Sequence, residues 1–90
     1  MTETAITPFD KVTMFGAGWC SDCRRSKSLL DTLAIDYDYI DVEENAAAAD
    51  RALAISGRTS IPLIVFPDAE FQVEPSDADL KAKLEAIGAI

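Results

Sequence analysis

Lys11-Val12-Thr13-Met14-Phe15 opens the patterned part of the chain as a β-prone run, and it stops at Gly16-Ala17-Gly18, where two glycines permit a tight turn. From Ser21 to Leu33 no Gly or Pro interrupts, and Leu29, Leu30 and Leu33 fall at spacings of one, three and four. This predicts a helix with one apolar face and with Arg24, Arg25 and Lys27 largely outside the core. Asp36-Tyr37-Asp38-Tyr39-Ile40-Asp41-Val42 alternates acids with apolar and aromatic residues, a period-two strand with its tyrosines on one face. Glu43 and Glu44 favour the start of a second helix, the alanine-rich run from Ala46 to Ile55 continues it, and Gly57 stops it. Leu63-Ile64-Val65-Phe66 reads as a short buried strand, Pro67-Asp68-Ala69-Glu70 as a turn, and Phe71-Gln72-Val73 as the returning strand. Ser76, with Asp79 three residues on, has the spacing of a helix cap, and Leu80, Leu84 and Ile87 supply the apolar positions of a closing helix.

The order is therefore βαβαββα, without repeat or linker. The first βαβ unit should be a parallel pair with a right-handed crossover, and the later two strands a hairpin. The 90 residues suit one domain over residues 1–90, its core spanning about 11–88. A chain this short buries a modest core, so each large apolar side chain counts. Apolar residues make up 49%, too many for a disordered chain.

Charge narrows the partners. A formal net charge of −8 argues against binding to a phosphate backbone, so no nucleic-acid partner is expected. It suits neutral or basic partners, although an acidic surface also serves simply to keep a small domain in solution. No N-terminal stretch joins a basic region to an apolar one, and no apolar run approaches the ~20 residues of a membrane span. A cytoplasmic chain without a membrane partner is expected.

Both cysteines of the chain stand in Trp19-Cys20-Ser21-Asp22-Cys23, just before the first helix. A Cys-x-x-Cys pair at the mouth of a helix can form and break a disulfide with little backbone movement. Cys20 falls at the helix entrance, where unpaired N–H groups and the positive end of the dipole favour a thiolate. Arg24 and Arg25 would add to that effect and Asp22 would oppose it. Cys23, further into the helix, is the candidate resolving thiol. The chain has no His, which excludes His-ligated metal and every Cys/His or Ser/His nucleophilic pair. Tetrahedral zinc would need about four ligands where one chain offers two cysteines, so no metal is assigned. A structural disulfide across so short a loop would stabilise little by chain entropy. A cluster shared between two subunits stays open.

From Lys11 to about Ile87 these features resemble the glutaredoxin family. The motifs that carry the resemblance are Trp19-Cys20-Ser21-Asp22-Cys23 after the first strand and Ser60-Ile61-Pro62 before the third. It implies an α/β, thioredoxin-like (glutaredoxin) fold, with a four-stranded mixed sheet flanked by helices. It implies a thiol–disulfide oxidoreductase in which Cys20 attacks and Cys23 resolves. It also implies a cis Ile61-Pro62 bond facing Cys20, with the backbone of Ile61 presented to the substrate sulfur.

Departures from the family pattern bear on the small thiol. Glutaredoxins usually place a lysine three residues before the first cysteine, and here Ala17 stands there. Their Gly-Gly pair before the last helix is replaced nearby by Val73-Glu74-Pro75-Ser76, and Arg58 lies one residue further from Pro62 than the usual basic or polar residue, leaving Thr59 at that spacing. These changes weaken the case for glutathione and look like mycoredoxins, actinobacterial relatives that act with mycothiol. Trp19, Pro67-Asp68-Ala69 and Pro75-Ser76 are similar to the mycoredoxin pattern.

By this resemblance mycothiol, or glutathione, is the co-substrate and no cofactor is bound. The partners are a low-molecular-weight thiol and disulfide-containing proteins, with a flavoprotein disulfide reductase as a further electron source, and the chain is monomeric. Trp19 is either a substrate platform or a partly buried aromatic beside the turn. Ser21 and Asp22 replace the commoner Pro-Tyr or Gly-Tyr at the thiol site. Ser76 and Asp77, at a helix N-terminus, would offer backbone N–H groups to the ligand, and Ser76 reads equally well as an N-cap alone. Two other functions share the motif: an electron donor to ribonucleotide reductase, and a non-catalytic module holding an iron–sulfur cluster or a client protein.

Overall fold

The computed structural model of the protein describes residues 9–90. Residues 1–8, part of the expected domain, lie outside the described residues. The elements follow in the expected order: β1 (Val12–Gly16), α1 (Ser21–Thr32), β2 (Tyr37–Asp41), α2 (Ala46–Ser56), β3 (Leu63–Val65), β4 (Phe71–Val73) and α3 (Asp77–Ala86). The strands form one mixed sheet in the order β2-β1-β3-β4. β1 and β2 run parallel, from Val12 opposite Tyr37 to Gly16 opposite Asp41. β3 is antiparallel to both β1 and β4. A parallel neighbour requires a crossover, which α1 provides, whereas the antiparallel pair needs only a turn. In that turn the Asp68 carboxylate accepts from the Glu70 N–H at 3.0 Å, and Lys83 of α3 reaches across to Asp68 at 2.6 Å. This is the α/β thioredoxin-like fold.

Alternation along β1 builds two cores. Val12 and Met14 pack with Ile64, Phe66, Leu30, Leu80 and Leu84 on one face. Phe15 packs with Leu63, Val65, Ala48 and Ala52 on the other. Successive side chains of a strand point to opposite faces, so a strand buried on both sides carries one set for each helical layer. α1 and α3 cover the first face and α2 the second. Tyr37 and Tyr39 pack on the first face, as their period-two spacing requires, while Ile40 and Val42 join the second.

Two boundaries differ from expectation for local reasons. α2 does not start at Glu43 and Glu44. Asn45 caps it, its carboxamide oxygen accepting from the Ala48 N–H at 3.1 Å, while Asp41 accepts from the Glu43 N–H at 2.8 Å and forms the preceding turn. A short amide side chain reaches the first-turn N–H groups from the cap position, and this decides the start over the general preference for acids near it.

Gly16 is the last residue of β1 rather than part of the turn. Its value is space. A Cβ there would lie 3.2 Å from Cys23 Sγ and 3.3 Å from Cys23 Cβ, so the missing side chain lets the first turn of α1 rest on the strand end. The turn itself is closed by the Cys20 N–H donating to the Ala17 carbonyl at 3.2 Å.

Gly16→Ala should therefore crowd Cys23 and destabilise the protein by about 1–3 kcal/mol, as overpacking of a filled core does. Urea unfolding checks this, and a midpoint equal to that of the wild type would show that α1 can lift from the sheet at no cost.

Candidate active site

Cys20 occupies the N-cap position of α1, with φ −84° and ψ 115°. Its sulfur stands where a cap oxygen would normally be and accepts from the Cys23 N–H at 3.2 Å. The helix N-terminus thus directs an N–H group and its positive end at the Cys20 sulfur. On its other side the Cys20 thiol approaches the Ile61 carbonyl oxygen at 3.9 Å. Both cysteines are free thiols.

Three residues separate two different environments. Cys20 is 9% exposed at the edge of a groove, whereas Cys23 is 2% exposed and belongs to the core formed with Met14 and Leu30. Burial, reinforced by the hydrogen bond to Cys20 and by the charges of Cys20 and Asp22, pushes the Cys23 thiol up to about 12, against an opposing contribution from the Ala17 backbone. Cys23 is held as a thiol at neutral pH.

The arginines are engaged by backbone and carboxylate oxygens. Arg24 donates to the Gly18 carbonyl at 2.8 Å. Arg25 donates to the Asp22 carboxylate at 3.0 Å and to the Pro75 carbonyl at 3.2 Å, and lies 3.6 Å from the Asp77 carboxylate. Asp22 is thereby paired within its own helix turn, and the start of α1 is tied to the segment that leads into α3.

The groove at Cys20 encloses about 390 Å³ and is open to solvent. Of the residues expected there, Trp19, Ser21, Asp22 and Ile61 line it with Cys20. Trp19 is 66% exposed, so its indole forms a free rim beside the sulfur rather than a packed aromatic. Pro62 is buried beneath the lining, and the Ile61-Pro62 bond is cis, as the resemblance implied.

Ser76 and Asp77 do not line the groove. The Ser76 hydroxyl accepts from the Asp79 N–H at 3.1 Å, the cap role, and Asp77 faces Arg25. Three lining residues were missed at the sequence level: Thr59, Ser60 and Glu74. The first two adjoin Ile61. Glu74 was findable by extending the hairpin register, since Leu63 opposite Val73 places Pro62 opposite Glu74, whose N–H donates to the Pro62 carbonyl at 2.8 Å.

A second opening of about 280 Å³ lies by Cys23 and is lined also by Arg24, Lys27, Tyr39 and Asp41. Lys27 Nζ sits 5.8 Å from the ring centres of both Tyr37 and Tyr39, closing that flank with a cation between two aromatics. Among the described residues no group of three or more His, Cys, Asp and Glu side chains is arranged to hold a metal ion. No helix among them is long and apolar enough to cross a membrane.

Known proteins resemble this chain in sequence and fold. The family model described as Glutaredoxin matches residues 12–71. A Mycobacterium tuberculosis protein that carries a glutaredoxin name is 35% identical over 77 residues, covering 84% of this chain and 92% of its own. Mycoredoxin 1 of Corynebacterium glutamicum is 30% identical over 77 residues, covering 84% of this chain and 95% of its own. Among solved structures, the glutaredoxin of Archaeoglobus fulgidus superposes with a TM-score of 0.73 at 26% identity, over 81% of this chain and 84% of that one. A sheet that delivers a capping cysteine to a groove beside a cis proline, matched by the family model over more than half its length, places the chain in the glutaredoxin family.

Proposed function

We propose that the protein reduces mixed disulfides of proteins and small thiols through Cys20 and Cys23, with mycothiol as its co-substrate. Membership of the glutaredoxin family supports the reaction class, thiol–disulfide exchange. The observation that carries the division of labour is the contrast between the two sulfurs. Cys20 caps the helix at the edge of an open groove, and Cys23 is buried with its thiol pushed up to about 12.

In the first step the Cys20 thiolate attacks one sulfur of the substrate disulfide. A bond from Cys20 to that sulfur forms, the substrate S–S bond breaks, and the other half leaves as a thiolate with the bonding pair. In the second step Cys23 gives up its proton and attacks the Cys20 sulfur. The bound half leaves as a thiolate and takes up that proton, so two electrons have passed from the protein dithiol to the substrate.

Timing follows from the contacts. Once Cys20 is in a mixed disulfide it carries no charge, so its share of what holds the Cys23 proton is gone when that proton must leave. Two equivalents of external thiol then reduce the Cys20–Cys23 disulfide and become a disulfide themselves.

The choice of mycothiol rests on Ala17 and on the likeness to Mycoredoxin 1. Ala17 is 0% exposed, so the position from which the family ordinarily offers a lysine to a glutathione carboxylate holds a buried methyl group.

With mycothiol and glutathione mixed disulfides offered side by side, Cys23→Ser should retain a trapped adduct on Cys20, and more of it from mycothiol. Peptide mapping by mass spectrometry reads the site and the mass. In a Cys20→Ser variant run alongside, an adduct retained on Cys23, with none on Cys20 in Cys23→Ser, would reverse the roles, and no transfer from either thiol would remove the catalytic reading.

A second expectation concerns pH. Below its raised pKa the thiolate fraction of Cys23 grows about tenfold per pH unit, so iodoacetamide labelling of Cys23 in the reduced protein should climb without levelling through about pH 7 to 10. A plateau within that window would mean an ordinary thiol.

A further inference from the structure

Among the described residues two acids line the Cys20 groove, Asp22 and Glu74, and no lysine or arginine does. The two acids differ in their surroundings. Asp22 is paired with Arg25 at 3.0 Å, which offsets much of its field. Glu74 is exposed, and among the described residues no cation pairs with it.

Its place is nevertheless set by the backbone. The Glu74 N–H donates to the Pro62 carbonyl at 2.8 Å, and the residue sits in the left-handed region at φ 50°. Arg58 belongs to an adjoining cleft that shares Thr59, Ser60 and Ile61 with the groove, and that cleft also contains Asp50. The lining of the Cys20 groove itself therefore carries one carboxylate, Glu74, with which no cation among the described residues pairs, and Arg58 stands outside that lining.

We propose that Glu74 is a specificity-determining residue that favours disulfide substrates with a cationic residue beside the disulfide cysteine and disfavours those with an acidic one. This rests on the Cys20-centred exchange proposed above. As the Cys20 thiolate attacks, negative charge spreads over the sulfurs inside a groove that already holds Glu74. A substrate cation offsets that charge where it develops, and a substrate carboxylate adds to it. The net charge of −8 gives the whole surface the same bias, so the local part must be separated by mutation.

The test uses the reduced protein and three synthetic peptides whose cysteine carries the same small thiol in disulfide linkage, flanked by Lys, Ser or Glu. Second-order rate constants are measured at low and at high salt for the wild type, Glu74→Gln and Glu74→Lys. Glutamine keeps the length and the backbone demand of the glutamate and removes only its charge. Rate ratios between peptides are unaffected by the fraction of active protein.

The wild type should prefer the Lys peptide over the Glu peptide by about tenfold at low salt, and the preference should shrink as salt screens it. Glu74→Gln should reduce that ratio about threefold, and Glu74→Lys should bring it to unity or invert it. Equal rates for the charged peptides, or a wild-type ratio retained in Glu74→Gln, overturn the inference while leaving the exchange reaction standing. Failure of the wild type to reduce even the Ser peptide overturns the exchange reading itself and the inference with it.

Discussion

The chemistry of this protein depends on how closely α1 can lie on the end of β1. At Gly16 the strand has no side chain, and Cys23 fills that space with its sulfur only 3.2 Å from where a Cβ would be. Because the first turn sits this low, Cys23 enters the core while Cys20, one helical turn earlier, remains at the groove. Three residues of helix rise are about 4.5 Å, enough to put one sulfur in a dry environment and the other at the water boundary. The two thiols have the same covalent chemistry. Their different surroundings come from depth, and depth comes from one absent methyl group.

Charge near the site is organised by Arg25. Reading along the helix alone, Arg24 and Arg25 should assist a thiolate at Cys20 and Asp22 should oppose it. In the folded chain Arg25 holds Asp22 and also reaches the Pro75 carbonyl and Asp77, so its charge is spent on joining α1 to the segment before α3. Arg24 turns to the Gly18 carbonyl. The donor that meets the Cys20 sulfur is the backbone, through the Cys23 N–H at the helix end. Exposed ion pairs of this kind add little to stability by themselves. Their effect here is directional, because they decide which charges the groove still shows.

Much of this was legible in the residues, and the part that was not has a common cause. The period of two in Tyr37 to Val42, the leucine spacing of α1 and the cap at Ser76 each report a local preference, and each element formed where that preference pointed. β1 was legible as a strand, yet its burial on both faces depended on α2 covering Phe15, which no pattern within β1 reveals. The alanine run marks the body of α2, while its first residue is set by the specific cap at Asn45 rather than by the diffuse signal of acids nearby. Of the groove, Trp19, Cys20 and Ile61 could be read from motifs, whereas Glu74 and the orientation of Arg25 depend on partners 12 and 50 residues away across the sheet and between helices. Contacts at that separation follow from register and packing, which the local pattern does not specify.

The exposed rim residue of the groove has one more consequence. Trp19 is the single tryptophan of the chain, and its indole stands in solvent next to Cys20. Its emission therefore has no background from any other indole in the molecule. A disulfide formed beside it, or a ligand laid against it, alters the surroundings of the sole ultraviolet reporter at that wavelength. The fold has in effect placed an optical probe beside the Cys20 sulfur, so the occupancy and oxidation state of the groove can be followed in the unlabelled protein.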